Sequence, residues 1–72
     1  MQRIIECVPN FSEGRNSEVI EAIAAAVRDT KGVRLLYVDS DADYNRTVYT
    51  FSGEPEAVLE AAFNAARTGL RL

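Results

Sequence analysis

Two polar loops hold most of the side chains that could do chemistry. The first is Pro9-Asn10-Phe11-Ser12-Glu13-Gly14-Arg15. Asn10 and Ser12 can each donate and accept a hydrogen bond, and Glu13 could act as an acceptor or base. If a helix opens directly after Arg15, its first N–H groups could meet an anion such as a substrate carboxylate. A plain turn and helix cap is the other reading of the same residues. The second loop is Asp39-Ser40-Asp41-Ala42-Asp43-Tyr44-Asn45-Arg46. Here Arg46 could pair with a neighbouring aspartate or grip a carboxylate through its two-pronged guanidinium. The Asp-x-Asp-x-Asp start imitates a calcium loop. The match fails at Tyr44, where the sharp turn needs glycine, and at Thr50, where a bidentate glutamate is needed. No metal site is read from the sequence.

Other candidates weaken on inspection. Cys7 is the single cysteine and the chain has no histidine to activate it, so it reads as a small buried hydrophobe. Tyr37, Tyr44 and Tyr49 could stack on a flat ligand or could fill a core. Gly14, Gly32, Gly53 and Gly69 form no phosphate-binding fingerprint and suit turns and caps. The residues therefore point to a small-molecule site without naming its ligand.

The elements that must carry these loops can be read from hydrophobic period and punctuation. Residues 3–8 are apolar and β-branched and stop at Pro9-Asn10, which predicts a strand followed by a loop over 11–15. A helix is expected over 17–29, with Asn16 as N-cap, Val19, Ile20, Ile23 and Val27 on one face, and Gly32 as its stop. A second strand spans 33–38 and the acidic loop 39–45. Residues 46–52 alternate, with Val48 and Thr50 on one side and Thr47, Tyr49 and Phe51 on the other. Pro55 opens a second helix over 55–68, with Leu59, Ala62, Phe63 and Ala66 as its apolar stripe and Gly69 as its end.

The resulting order, β-α-β-β-α, is an α+β pattern. It matches a ferredoxin-like split βαβ with both helices on one face, lacking its last strand. That strand would begin after Leu70 and lie beside strand 1. Without it, strand 1 leaves a free sheet edge open to another chain, and the helix-free face also needs a cover. Residues 1–72 are expected to form a single domain, incomplete at its C-terminus. A core this small only narrowly outweighs chain entropy.

Composition removes several function classes. The net charge is −3 with eight scattered basic residues, unlike a nucleic-acid or anionic-membrane surface. No apolar run approaches a membrane span and no signal peptide is visible. One unpaired cysteine suits a reducing compartment, so a cytoplasmic setting is expected.

The two loops also carry a resemblance. Glu6-Cys7-Val8-Pro9-Asn10-Phe11-Ser12-Glu13-Gly14-Arg15 resembles the N-terminal signature of the glutamate formiminotransferase family. Asn45-Arg46-Thr47-Val48-Tyr49-Thr50-Phe51, with Gly53 and Pro55, resembles its second block, and Asn64-Ala65-Ala66 sits where that family has its second helix. The likeness covers nearly the whole chain in the expected order.

That resemblance implies transfer of a formimino group from N-formimino-L-glutamate to tetrahydrofolate, in histidine breakdown. It implies a transferase region of two α/β subdomains with folate, the co-substrate, in the cleft between them. This chain would be the first subdomain. Asn10, Ser12, Glu13, Asn45 and Arg46 would line the cleft, with Asp39 as a further candidate. The family's catalytic histidine belongs to a segment past Leu72, so no catalytic residue is assigned here beyond Glu13 as a substitute base. The isolated chain is expected to be inactive, its partners being folate, formiminoglutamate and either the missing C-terminal subdomain or a second copy. The alternative is a free-standing folate- or amino-acid-binding or regulatory module that pairs through its open sheet edge.

Overall fold

A computed structural model describes residues 3–71. Its elements are β1 (Ile5–Cys7), β2 (Asn10–Phe11), α1 (Ser17–Arg28), β3 (Val33–Asp41), β4 (Arg46–Gly53) and α2 (Pro55–Arg71). The fold is α+β with a four-stranded antiparallel sheet and two helices, compatible with a truncated ferredoxin-like arrangement. The expected first strand is split at Val8-Pro9, because proline has no N–H for the ladder. The register nevertheless carries through: Cys7 faces Phe51 and Asn10 faces Val48. Between them the Pro9 carbonyl accepts from the Tyr49 amide at 3.1 Å. Thus β1 and β2 act as one strand along β4, with β3 on the other side of β4.

The α1 start lies where the sequence placed it. Asn16 has extended dihedrals, and its Oδ1 accepts from the Glu18 and Val19 amides at 3.0 and 3.3 Å. This meets two of the donors a helix start leaves unpaired. The helix stops at Arg28 with Asp29 as its cap; Gly32, in the left-handed region at φ 85°, instead turns the chain into β3. β3 and β4 are also longer than expected. β3 runs to Asp41, so the acidic loop shrinks to Ala42–Asn45.

Both helices cover one face of the sheet. Alternation on β4 puts Thr47, Tyr49, Phe51 and Gly53 beneath them, buried, and leaves Val48 and Thr50 half-buried on the other face. Ile23, Ala24 and Val27 of α1 and Val58, Ala61 and Ala65 of α2 complete the core, with Cys7, Phe11 and Leu35 packed against it. The Phe11 ring meets Tyr49 edge-on at 5.4 Å, the geometry that aromatic quadrupoles favour. Buried hydroxyls are partnered: Tyr49 donates to the Ile20 carbonyl at 3.3 Å and Thr30 to that of Ala26 at 2.8 Å.

Two expectations for α2 are corrected. Its buried stripe is Val58, Ala61 and Ala65, and the predicted Leu59, Phe63 and Ala66 are exposed; Ala62 alone of that set packs on the core. Small residues let α2 sit close to α1 and the sheet, so packing overrides the larger side chains. Gly69 does not end the helix, which runs on to Arg71. A Cβ at Gly69 would lie 3.2 Å from the Phe11 ring, so this glycine makes room for Phe11 instead. Among the described residues no helix is long and apolar enough to cross a membrane.

Two outcomes are expected in denaturation experiments. Phe51→Ala should cost about 3–5 kcal/mol, the whole stability of a domain this small, whereas Leu59→Ser should move it by no more than about 0.5 kcal/mol. Burial, aided by the Glu13 carboxylate and opposed by the Thr47 hydrogen bond, raises the Tyr49 phenol above its ordinary value of 10.0. The fold therefore favours the neutral phenol. That contribution is fully present below the ordinary value and is lost as pH rises through the folded value. Urea midpoints measured up to strongly alkaline pH should show this loss, and Tyr49→Phe should remove it.

Candidate functional site

The two polar loops meet at one end of the sheet. Asn45 makes the junction. Its φ of 51° places it in the left-handed region, which asparagine tolerates better than most residues. From there its Oδ1 accepts from the Gly14 amide at 2.9 Å, and its Nδ2 donates to the Ser12 carbonyl at 3.4 Å. The Arg15 Nε donates to the Ala42 carbonyl at 2.9 Å, and the buried Thr47 hydroxyl donates to the Glu13 carbonyl. The loops approach so closely that a Cβ on Gly14 would lie 2.5 Å from the Arg46 amide nitrogen and 2.6 Å from the Asp41 carbonyl oxygen. Only glycine fits there without moving backbone.

Three predicted residues share the helix-free face. Asn10 pairs with Val48, and Val48 pairs in turn with Asp39, so Asn10 and Asp39 flank Val48 on one surface. Arg46, two residues from Val48 along β4, points the same way. A β-bulge makes this possible. Leu35 faces Phe51 on the helix side, yet Tyr37 faces Thr50 on the open side, because Leu36 is inserted between them. Without that extra residue Asp39 would point into the helix layer. Ser40 takes the helix side instead, and its Oγ lies 3.0 Å from the Thr47 hydroxyl.

Asn10, Asp39 and Arg46 are all exposed. Among the described residues the one ion pair is Arg28 with Glu21, so Arg46 holds none of the loop aspartates within salt-bridge distance. Its expected structural pairing is absent there and its guanidinium faces outward. Asp41 acts locally. Its Oδ1 accepts from the Asp43 and Tyr44 amides at 3.0 and 3.4 Å and shapes the turn.

Glu13, Ser12 and Asn45 sit differently. The Glu13 Oε1 accepts from the Arg15 and Asn16 amides at 3.2 and 3.1 Å. The Ser12 side chain is exposed beside it and Asn45 is half-buried. A polar depression of about 670 Å³ lies over the α1 N-terminus, lined by Glu13, Arg15, Asn16, Ser17, Glu18 and Asn45. The anion site expected there is occupied by the chain's own groups, since Asn16 and Glu13 already take donors at the helix start and Glu18 adds a second carboxylate. The tyrosines divide by place: Tyr49 is core, Tyr37 is exposed on the open face, and Tyr44 is exposed at the turn.

Several contributors escape a reading of the sequence. Arg15 and Thr47 tie the loops together, and the Leu36 bulge aims Asp39. The left-handed Asn45 has a usable signal, an asparagine closing a short polar turn. Nothing in Val-Arg-Leu-Leu-Tyr-Val marks the bulge.

Gly14→Ala should destabilise the chain by at least about 1–3 kcal/mol, through forced displacement of the two loops. Asn45→Gly, which keeps the backbone and removes the amide, should cost about 0.5–1.5 kcal/mol. Urea titration of both variants reads these values, with the larger loss at Gly14.

A family model described as formiminotransferase domain, N-terminal subdomain, matches residues 4–72. A formimidoyltransferase-cyclodeaminase from Sus scrofa is 60% identical over 72 residues, which is 100% of this chain and 13% of that protein. The protein of the same name from Dictyostelium discoideum is 50% identical over the same span, again 13% of its length. A glutamate formimidoyltransferase from Streptococcus pyogenes serotype M1 is 45% identical over 67 residues, 93% of this chain and 22% of that protein. The chain thus spans between about an eighth and a fifth of the length of these relatives. With a family match over almost its whole length, the chain belongs to the formiminotransferase family, in the region of its N-terminal subdomain.

Proposed function

We propose that the chain is the N-terminal part of a glutamate formimidoyltransferase that moves the formimino group of N-formimino-L-glutamate to tetrahydrofolate, in a cytoplasmic setting, and that alone it does not turn over. The observation carrying this reading is the match, along nearly the full chain, to relatives named as formimidoyltransferases, one of them a glutamate formimidoyltransferase. The two blocks that resemble the family's signatures also touch, through Asn45 and Gly14.

In the proposed reaction a ring nitrogen of the folate attacks the formimino carbon and forms a C–N bond. The tetrahedral intermediate then expels the glutamate nitrogen, which leaves with the electron pair and takes up a proton, while the attacking nitrogen loses one. Proton movement of this kind near neutral pH suits histidine, and this chain has none. Its share is positioning. Arg46, outward and free of a carboxylate partner among the described residues, suits a carboxylate of glutamate or of the folate tail. Asn10, Asp39 and the Ser12 hydroxyl offer hydrogen bonds on or beside the same face. Tyr37 and Val48 offer the apolar surface a flat ring needs. Glu13 and Asn45 hold the loops in place. An open face of this kind fits a ligand sandwiched against a second body, which supports the C-terminal subdomain as the missing wall.

The outer edge of β1 and β2, unpaired among the described residues, favours a second reading, a folate- or amino-acid-binding module that acts by pairing with another chain.

Arg46→Ala in the longer transferase carrying this sequence should lower kcat/KM by about 10- to 100-fold, and Asn10→Ala by a smaller factor, with urea midpoints unchanged. Unchanged turnover in both variants removes the site assignment. For the 72-residue chain alone, tetrahydrofolate and formiminoglutamate together should give no product. Saturable amide shifts on tetrahydrofolate without turnover would support the module reading.

A further inference from the structure

The face of α2 turned away from the core carries an apolar stripe that nothing in the described chain covers. Leu59 is 72% exposed, Phe63 65% and Leu70 89%, with the exposed Ala66 between the last two. Single exposed apolar residues are ordinary, but three large ones aligned on one helix are not. The same helix already buries Val58, Ala61 and Ala65 on its other side. The exposed set is therefore additional to what the fold requires.

The spacing of the stripe identifies a class of partner. Leu59, Phe63, Ala66 and Leu70 follow one another by steps of four, three and four residues. That is the spacing of a helix packing along another helix, with a period of about 3.5 residues. A shallow groove of about 430 Å³ runs beside it, lined by Glu56, Leu59, Glu60, Phe63, Asn64 and Arg67.

Charge identifies the partner more closely. Glu60 follows Leu59 and Arg67 follows Ala66, so the two occupy equivalent flanking positions one heptad apart. In an antiparallel pair of identical helices such positions face each other across the seam. Glu60 of one copy then meets Arg67 of the other, twice over about one two-fold axis. The same axis sets Leu59 opposite Leu70 and Phe63 opposite the small Ala66, large against small. A parallel pair would set Glu60 and Arg67 beside uncharged positions such as Ala62 and would align the helix dipoles unfavourably. In the single chain the Arg67 guanidinium lies 5.7 Å from the Phe63 ring centre, and its Nη2 donates to Asn64 Oδ1 at 2.7 Å. It is therefore already at the rim of the stripe.

We propose that this face of α2 is a self-association surface whose occupant is the α2 of a second copy, antiparallel, with Leu59, Phe63, Ala66 and Leu70 at the seam and Glu60–Arg67 pairs on its flank. A seam between two helices of 17 residues is about 25 Å long and falls short of the roughly 1,200 Å² of a standard interface. The association is accordingly weak and reversible.

Sedimentation equilibrium of the 72-residue chain, from micromolar to millimolar concentration, tests this. The chain should show a monomer–dimer equilibrium. Glu60→Arg and Arg67→Glu, each placing like charges at both flanks, should each lower the association constant by about tenfold or more, and the double reversal should restore it. Phe63→Ser should abolish association while leaving the far-UV circular dichroism unchanged, since the side chain is outside the core. A chain that stays monomeric throughout overturns the proposal. So does a dimer indifferent to the single reversals, which would place the contact at the sheet edge, or a double reversal that does not recover.

Discussion

The site end of this molecule depends on one close contact between backbones. Gly14 lies against the Asp41 carbonyl and the Arg46 amide at distances that leave no space for a side chain, and Asn45 ties it there by its amide. Every other feature at that end follows. The first loop is pulled over the end of β4, the Glu13 carboxylate comes to rest on the start of α1, and the turn between β3 and β4 is held from outside. A left-handed asparagine costs some backbone energy, which the two loop-to-loop bonds offset. The core reaches these loops through Phe11 alone, since none of the fully buried apolar side chains lies in them, so the polar contacts do the rest of the fixing.

The sheet divides labour between its faces. One face of β4 is packed by Thr47, Tyr49 and Phe51 beneath two helices. The other carries Asn10, Val48, Asp39 and Arg46 toward whatever covers it. The Leu36 bulge lets both hold at once. Before it, β3 gives Val33 and Leu35 to the core; after it, β3 gives Asp39 to the open face and Ser40 to the buried Thr47. The fold thus gathers these polar groups on the open face without leaving a charge in the helix layer. The chain's place in the N-terminal subdomain of the formiminotransferase family is compatible with this division into a packed back and an open face.

Much of this is legible in the sequence where a local pattern has a single solution. The strict alternation of β4 separates Thr47, Tyr49 and Phe51 from Val48 and Thr50, and the structure buries the first set, while the Asn16 cap and the periodic run behind it locate α1. The two loops stand out because polar clusters between apolar runs have few other uses. What the sequence hides, it hides for tertiary reasons. On α2 hydrophobicity favours the largest apolar side chains as the buried stripe, whereas close helix packing selects Ala61 and Ala65. Gly69 has the look of a helix stop, and it serves the Phe11 ring across the core. The division of the site is hidden as well. Asn45 belongs by sequence with the ligand-binding candidates, and its amide is engaged with the other loop.

The loop contact is best tested by hydrogen exchange at the Gly14 amide. This group is buried and donates to Asn45 Oδ1 at 2.9 Å, although it belongs to no helix or strand. Exchange slowed to the rate of the β4 amides, and restored to the rate of an open loop in Asn45→Gly, is the expected result. A Gly14 amide that exchanges as fast as the exposed turn residues in the unaltered chain would contradict it, and the two loops would then be separate mobile segments with no shared site.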